Sequence, residues 1–362
     1  MEEARILAAP GGAGSSSYGM NNRAPRFVDD AGKILMVEYN KIIADVVGSG
    51  SRKVNLTVNG GVLTVRGNIS TGGIGSANTA GSYVNRINVA GGSLTANGIV
   101  LGNGNASINL SGGTLSFSNS TVGIQATGNQ AVGNSANIIV SGGTLEGNNI
   151  NIANVTAFTF TGGTIANVST FSQTGGITNA GGTLQRSTAG TTTIAGYTQN
   201  ANAAAATFTA GNFQVNGDTN FSGGNYTIGS AATGNTTGNF NQTGNAVLST
   251  ISGTQKIGGN FELHAGRASV DGTANVTGYV SVGSINAYLQ GTGTVITSNL
   301  TVNVGGVLAP GNSNLTFPLG NLTADVGGSG SVNMHGQFNF NVSAVGTALD
   351  RKSTRLNSSH RT

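Results

Sequence analysis

The chain has 362 residues, with 61 glycines, 8% charged residues and no cysteine. The absence of cysteine excludes disulfide frameworks, zinc–thiolate sites and thiol nucleophiles. The high glycine and low charge content leaves two classes, an all-β repeat protein or a glycine-rich disordered chain. Four prolines are too few for collagen, and no run of about 18 apolar residues occurs, so we expect no membrane span within these residues. The net charge of +4 divides into +2 for residues 1–66, −1 for 67–349 and +3 for 350–362, so it does not indicate a nucleic-acid partner.

The N-terminal segment, residues 1–47, differs in composition from the rest. Its apolar residues between 31 and 47 have spacings compatible with a short helix. Two interpretations stay open, a cap over the end of the following repeats and a wrongly assigned start. No secretory signal is visible, because the first residues carry acids where a basic region belongs.

One phrase recurs from residue 56 onward: two alternating apolar residues, a Gly-Gly pair, and a further apolar residue two positions later. The first glycines of its tight copies are residues 60, 91, 112, 142, 162 and 181. The steps between them are 31, 21, 30, 20 and 19 residues. We interpret these steps as one or one and a half turns of a unit near 20 residues.

The phrase has a direct physical meaning. Alternation with period two makes a half-buried strand, and the Gly-Gly pair allows positive φ, so that the chain turns a corner. A unit this short cannot bury its apolar face alone, but stacked units can share one core. The sequence therefore predicts an all-β fold, a right-handed parallel β-helix of roughly 20–24-residue rungs over residues 48–349. Asparagine and threonine between the apolar positions predict hydrogen-bonded ladders, and residues 201–206 and 232–238 are expected to be loops.

A family resemblance rests on the distal third. Residues 289–295, 300–313 and 320–323 resemble the autotransporter-associated β-strand repeat, whose hallmark corner matches Gly305 to Ser313 without a gap. The resemblance implies a parallel β-helix that is exported to the bacterial surface, as a passenger region or a surface-sorted protein. The expected location is therefore extracellular or on the bacterial cell surface. Neither a leader nor a translocator barrel is visible in these residues.

Residues that could carry chemistry are few. Between residues 67 and 349 the acids are Glu146, Asp218, Glu262, Asp271 and Asp325. β-Helical polysaccharide hydrolases need clustered carboxylates, and the single candidate pair is Glu262 with Asp271, with His264 between them. In a strand Glu262 and His264 would lie on the same side. Glycine-rich stretches that resemble calcium repeats lack the required aspartate, so we predict no catalytic, metal or cofactor site.

Three functions stay open. The favoured one is a non-enzymatic structural or adhesive stalk, whose partners would be surface glycans or a host or neighbouring cell surface. The second is a glycan- or ice-binding solenoid, although the interrupted threonine spacing argues against ice. The third is a polysaccharide-active β-helix, which would need carboxylates clustered around Glu262 and Asp271. No nucleic-acid partner is expected, because four basic residues between 67 and 349 are too sparse for a phosphate track.

The last segment, residues 350–362, is set apart by its charge. Residues 350–360 resemble the translation of a widely used sequencing-library adapter, which would make the chain a fragment with a disordered artificial tail. A genuine basic tail that binds an acidic partner is the alternative. In either case the segment is excluded from fold reasoning.

Overall fold

Alternating apolar and small polar residues form the strands, and in the computed structural model these strands stack in parallel as a β-solenoid, with no helix among the residues that the structure describes. The structure describes residues 37–39, 42–44, 55–71, 84–101, 105–117, 123–126, 136–147, 149–151, 157–172, 176–283, 286–311 and 321–338. The predicted all-β parallel β-helix is confirmed. Its right-handedness stays a prediction. Residues 350–362 lie outside the described residues.

The described residues contain 31 strands. The first fifteen are β1 (Val37–Tyr39), β2 (Ile42–Ala44), β3 (Asn55–Thr71), β4 (Val84–Leu101), β5 (Asn105–Phe117), β6 (Gly123–Ala126), β7 (Ala136–Gly147), β8 (Asn149–Asn151), β9 (Ala157–Ala166), β10 (Thr170–Ser172), β11 (Ile177–Asn179), β12 (Thr183–Arg186), β13 (Thr191–Ile194), β14 (Tyr197–Gln199) and β15 (Ala205–Val215). The others are β16 (Thr219–Phe221), β17 (Asn225–Thr236), β18 (Phe240–Gln242), β19 (Leu248–Ile251), β20 (Thr254–Ile257), β21 (Phe261–Leu263), β22 (Gly266–Val270), β23 (Thr273–Val276), β24 (Tyr279–Val282), β25 (Ala287–Gly291), β26 (Thr294–Ile296), β27 (Asn299–Val302), β28 (Gly306–Pro310), β29 (Thr323–Asp325), β30 (Ser331–Met334) and β31 (Gln337–Phe338).

Each turn of the chain contributes strands to three faces. From β9 onward the first face consists of β9, β11, β14, β16, β18, β21, β24, β27 and β30. The second face continues from β12 through β15, β17, β19, β22, β25, β28 and β31, and the third from β10 through β13, the later parts of β15 and β17, β20, β23, β26 and β29. This part makes about nine turns of roughly 21 residues. Strands β1 to β8 continue the same faces toward the N-terminus.

The long steps of 31 and 30 residues are single turns, so the interpretation as one and a half turns is wrong. Leu56 lies directly beside Ile87, and Ile108 lies beside Ile138. The additional residues fall in 72–83 and 127–135, outside the described residues. Backbone pairing fixes which residues stack, so a longer connection between faces lengthens a turn without shifting the ladder.

The Gly-Gly corner has the backbone that the sequence predicts. The second glycine of each of the first five tight copies has φ between 66° and 72°; these residues are Gly61, Gly92, Gly113, Gly143 and Gly163. Successive corners also touch, since a Cβ placed on Gly163 would lie 2.6 Å from the carbonyl carbon of Gly142. Glycine is therefore required here for two reasons, a left-handed conformation and a close backbone approach.

The alternate side chains meet in one continuous apolar core. On the first face the rings of Phe221, Phe240 and Phe261 follow one another with centroids 5.1 Å apart at each step. All three side chains are buried. Full burial of such a side chain contributes about 1.5–3 kcal/mol relative to exposure, and each turn adds several of them.

Several buried amide side chains, among them Gln199 and Gln242, are an exception to the apolar interior that was not predicted from the sequence. Gln199 Nε2 donates to the carbonyl oxygens of Ala204, in its own turn, and of Gly223 and Asn225, in the next turn, at 3.0–3.3 Å. Gln242 repeats this arrangement two turns later, with three carbonyl acceptors at 3.1–3.3 Å. These buried amides give additional hydrogen bonds to carbonyl groups at the corners and tie each turn to the next.

Two local predictions need correction. The helix expected between residues 31 and 47 is absent where the structure describes that segment, because β1 and β2 instead pair with β3. The loop expected at 201–206 is confirmed for residues 201–204, after which β15 begins at Ala205, whereas the loop expected at 232–238 is largely strand, because β17 continues to Thr236. The small residues of β17 give room to large neighbours, since a Cβ on Gly234 would lie 2.8 Å from the hydroxyl of Tyr226.

The outward rows confirm the predicted polar ladders. Asn109 Nδ2 donates to Asn88 Oδ1 at 2.8 Å, and Asn241 Nδ2 donates to Asn220 Oδ1 at 2.8 Å. In each pair the acceptor lies on the stacked strand of the preceding turn. Stacking therefore brings together side chains that are 21 residues apart in the chain.

We expect Gly113→Ala to destabilise the solenoid. The positive φ of Gly113 disfavours a side chain by about 1–2 kcal/mol, and its Cβ would lie 2.6 Å from the carbonyl carbon of Gly91. Urea unfolding followed by circular dichroism measures the effect. Gly60→Ala is the matched control, since a Cβ there meets no atom within 4 Å. Equal stability of the two variants would contradict the corner argument.

We expect Val140→Asp to disrupt the core, because an unpaired carboxylate on a side chain that is 0% exposed costs several kcal/mol. The neighbouring Ile139→Asp is the control, since Ile139 points outward and is 36% exposed. The strand signal in circular dichroism should fall for the first variant and stay for the second. An unchanged signal in Val140→Asp would show that the position is not in the core.

Candidate functional site

The described acidic side chains are dispersed over the solenoid. Glu146 points outward on the second face, Asp218 precedes β16, and Asp325 ends β29 on the third face. Glu262 lies in β21 on the first face, whereas Asp271 follows β22 at the corner between the second and third faces. The two carboxylates of the candidate pair therefore belong to different faces.

Glu262 is the centre of a small polar cluster. Its Oε1 accepts a hydrogen bond from the Tyr279 hydroxyl at 2.7 Å, and its Oε2 lies 3.2 Å from His264 Nε2. Glu262 is flanked in sequence by Phe261 and Leu263, both buried, so strand alternation forces its side chain outward. The expectation that Glu262 and His264 lie on the same side is confirmed.

Tyr279 is the member of this cluster that the sequence analysis missed. It begins β24, the strand that stacks on β21, and its backbone N–H donates to Asn260 Oδ1 at 3.2 Å. Its side chain is 41% exposed. Only the register of one turn on the next brings Tyr279 to Glu262. A partial signal of that register is the asparagine that directly precedes β18 and β21, at Asn239 and Asn260.

Hydrogen bonding sets the electrostatics of the cluster. The hydroxyl of Tyr279 lowers the pKa of Glu262, with a smaller contribution from His264, while partial burial opposes the shift. The same hydrogen bond is the main reason why the pKa of Tyr279 is raised. The carboxylate and the neutral phenol therefore stabilise each other near neutral pH.

Asp271 has separate partners. Its Oδ1 accepts hydrogen bonds from the backbone N–H of Thr292 at 3.1 Å and from the Thr292 hydroxyl at 3.2 Å. Ser269 donates to the other oxygen at 3.3 Å. Asp271 thus ties one corner to the next turn and does not join Glu262, so the structure does not assemble the carboxylate pair on which general acid–base hydrolysis of glycosidic bonds depends.

Basic side chains are also separated from the cluster. Arg186 is 2% exposed and donates to neutral oxygens, including the hydroxyls of Thr192 and Ser169; burial lowers its pKa. Arg267 lies over the ring of Tyr288 on the second face, 5.4 Å from the centroid. Within the described ranges, no three or more His, Asp or Glu side chains are grouped in a way that could hold a metal ion.

Comparison with protein-family profiles, with curated proteins and with solved structures found no match. The fold shows that the chain is a β-helical repeat protein. The segment that carries the family resemblance forms a corner at Gly305, with φ of 87°, followed by β28. Among the described residues there is no helix of sufficient length and apolarity to cross a membrane.

We expect the contact between Glu262 and Tyr279 to give a measurable pH dependence. The lowered pKa of Glu262 means that its contribution to stability is present above the ordinary value of 4.5 and is lost as pH falls through the lowered value. The raised pKa of Tyr279 means that its contribution is present below 10 and is lost as pH rises through the raised value. The stability difference between the native chain and Glu262→Gln should therefore be largest near neutral pH.

Two measurements test this expectation. Chemical unfolding at several pH values gives the stability difference, and ultraviolet titration of the tyrosines should show one phenol ionising at lower pH in Glu262→Gln than in the native chain. Ser281→Ala, a change on the neighbouring strand that leaves both atoms of the contact in place, is the control. Identical tyrosine titration of the native chain and Glu262→Gln would contradict the assigned hydrogen bond.

Proposed function

We propose that this chain is a non-enzymatic β-helical stalk or passenger of a bacterial protein, with a structural or adhesive role outside the cell or on its surface. The observation that carries the proposal is the division of the solenoid into a continuous apolar interior and outward rows of uncharged polar side chains. A fold of this kind grows by adding turns, and each turn adds both core and surface. Its length and polar faces are the properties that such a role uses.

The dispersion of the carboxylates supports the non-enzymatic part of the proposal. Glu262 is engaged by Tyr279 and His264, and Asp271 is engaged by Thr292 and Ser269. Both carboxylates therefore have local partners that account for their positions. The extracellular location is supported by the resemblance of the Gly305–Ser313 corner to the autotransporter-associated repeat.

An adhesive role has its own support in the cluster around Glu262. Tyr279 presents an aromatic ring to solvent, and the surrounding rows of the first face carry amides and hydroxyls. Such a surface can contact a glycan without cleaving it. A purely structural stalk would not need an ordered arrangement of this kind.

We expect the isolated chain to be elongated and inactive on polysaccharides. Small-angle X-ray scattering should show a rod, because the levels from β3 to β30 at about 4.8 Å each give a length of about 60 Å. Incubation with pectin, xylan and β-glucan should release no reducing ends. Release of reducing ends that is lost in Glu262→Gln would overturn the non-enzymatic assignment, and a globular scattering profile would overturn the stalk.

A test of the proposed surface location requires the bacterium that encodes the chain. Antibodies against the solenoid should label intact cells, and protease added outside should remove that labelling. A cytoplasmic protein of the same cells serves as the control for lysis. Labelling that appears only after permeabilisation would contradict the proposed location.

A further inference from the structure

The first face between β16 and β30 carries a regular polar grid. We define the polar grid as the outward side chains of β16, β18, β21, β24, β27 and β30, with the corner residues that flank these strands. Its central row runs through Asn220, Asn241, Glu262, Ser281, Thr301 and Asn333, which pair in register on successive strands. Parallel strands repeat about every 4.8 Å, and alternate residues along a strand are about 6.6 Å apart, so the grid offers hydrogen-bonding groups in two directions.

Internal hydrogen bonds hold the side chains of the grid in place. Asn241 donates to Asn220 at 2.8 Å, and Asn303 Nδ2 donates to the Ser281 hydroxyl at 3.0 Å. A surface whose groups are already ordered loses less side-chain entropy when a ligand binds. These contacts also leave acceptors and donors unused, because an amide has two donor hydrogens and two acceptor lone pairs.

Tyr279 adds an apolar element to this polar surface. Three other tyrosines are less exposed: Tyr197 and Tyr226 are 1% exposed, and Tyr288 is half-buried beneath Arg267. Tyr279 remains 41% exposed, and its hydroxyl is fixed by Glu262. An aromatic ring held at a surface presents its electron-rich face to the C–H groups of a ligand.

The charge of the grid limits the class of ligand. Its outward positions include the carboxylates of Asp218 and Glu262 and the imidazoles of His264 and His335, but no lysine or arginine. The basic side chains Lys256 and Arg267 belong to the third and second faces. A polyanionic glycan would therefore meet carboxylates without a permanent cation to offset them.

We propose that the polar grid binds an extended neutral polysaccharide, with one sugar ring on Tyr279 and the hydroxyls of that sugar on Glu262 and the neighbouring amides. This inference rests on the adhesive part of the proposed function and names its ligand class and its site. A sheet face of strands stacked in register fits an extended chain, and successive sugars find polar groups on successive turns. Hydrogen bonds from hydroxyls to a carboxylate are stronger than those to neutral acceptors.

Binding measurements on the full chain test the proposal. The probes are three neutral polysaccharides, xyloglucan, laminarin and dextran, together with polygalacturonate as the anionic comparison, each measured by affinity electrophoresis and calorimetry. We expect at least one neutral probe to bind, and Tyr279→Ala and Glu262→Gln to weaken that binding about tenfold or more, as loss of a central contact does. Tyr279→Phe keeps the ring but loses its hydrogen bond to Glu262, so its affinity should lie between those of the native chain and Tyr279→Ala.

Tyr288→Ala is the matched control, since it removes a tyrosine from the second face, away from the grid. It should leave the affinity within about twofold of the native value, and circular dichroism should show that all variants keep their strand content. Thr301→Ala provides a further grid variant should Glu262→Gln fail to fold, and it should also weaken binding. Failure of every neutral probe to bind, binding of polygalacturonate alone, or equal loss in Tyr288→Ala would overturn the proposal.

The outcomes separate this proposal from the broader function. A rod-shaped chain that binds none of the neutral probes retains its structural role and loses the polar grid as a binding site. Cleavage of a bound probe would instead overturn the non-enzymatic assignment while leaving the location of the site intact.

Discussion

The hydrogen-bonded stacking of each turn on the one before it, at a spacing of about 4.8 Å, is the constraint on which the other features of this protein depend. It brings successive corners into backbone contact, which leaves no room for side chains at positions such as Gly143 and Gly163. The glycine content of the chain is in part a consequence of this contact. Because the turns share one core, no turn is stable without its neighbours.

Stacking also determines which side chains can lie inside. Inward residues of one turn also face each other across a narrow interior, so large and small residues must complement each other, as Tyr226 and Gly234 of β17 do. Each turn also places carbonyl groups at its corners. The side-chain amides of Gln199 and Gln242 donate hydrogen bonds to such carbonyls in the next turn. The interior therefore combines apolar packing with a few fully satisfied amides, and those amides connect neighbouring turns as the backbone ladders do.

The parts of the structure that sequence could predict are those set by local rules. Alternation placed Glu262 and His264 on one side, and the Gly-Gly pairs indicated corners with positive φ. Tyr279 could not be assigned to the cluster, because its position depends on the register between turns. Gln199 and Gln242 were missed for a related reason: a polar residue in an alternating strand is assigned outward unless the carbonyls that it satisfies are known. Connections of variable length, as before Ile87 and Ile138, likewise hid the true length of a turn.

The same register explains how a chain with few charged groups can acquire a distinctive surface. A single substitution on the surface of a globular protein changes one isolated side chain. In a solenoid the substituted side chain stands in a row of stacked side chains that continues through neighbouring turns. Glu262 occupies the position that Asn241 has in the preceding turn. The backbone pairing is kept there, while the carboxylate of Glu262 contacts Tyr279 and His264. Because the backbone ladders hold the spacing, outward positions can vary without loss of the fold. Variation of single turns thus gives one face its own chemistry while the core beneath it remains the same.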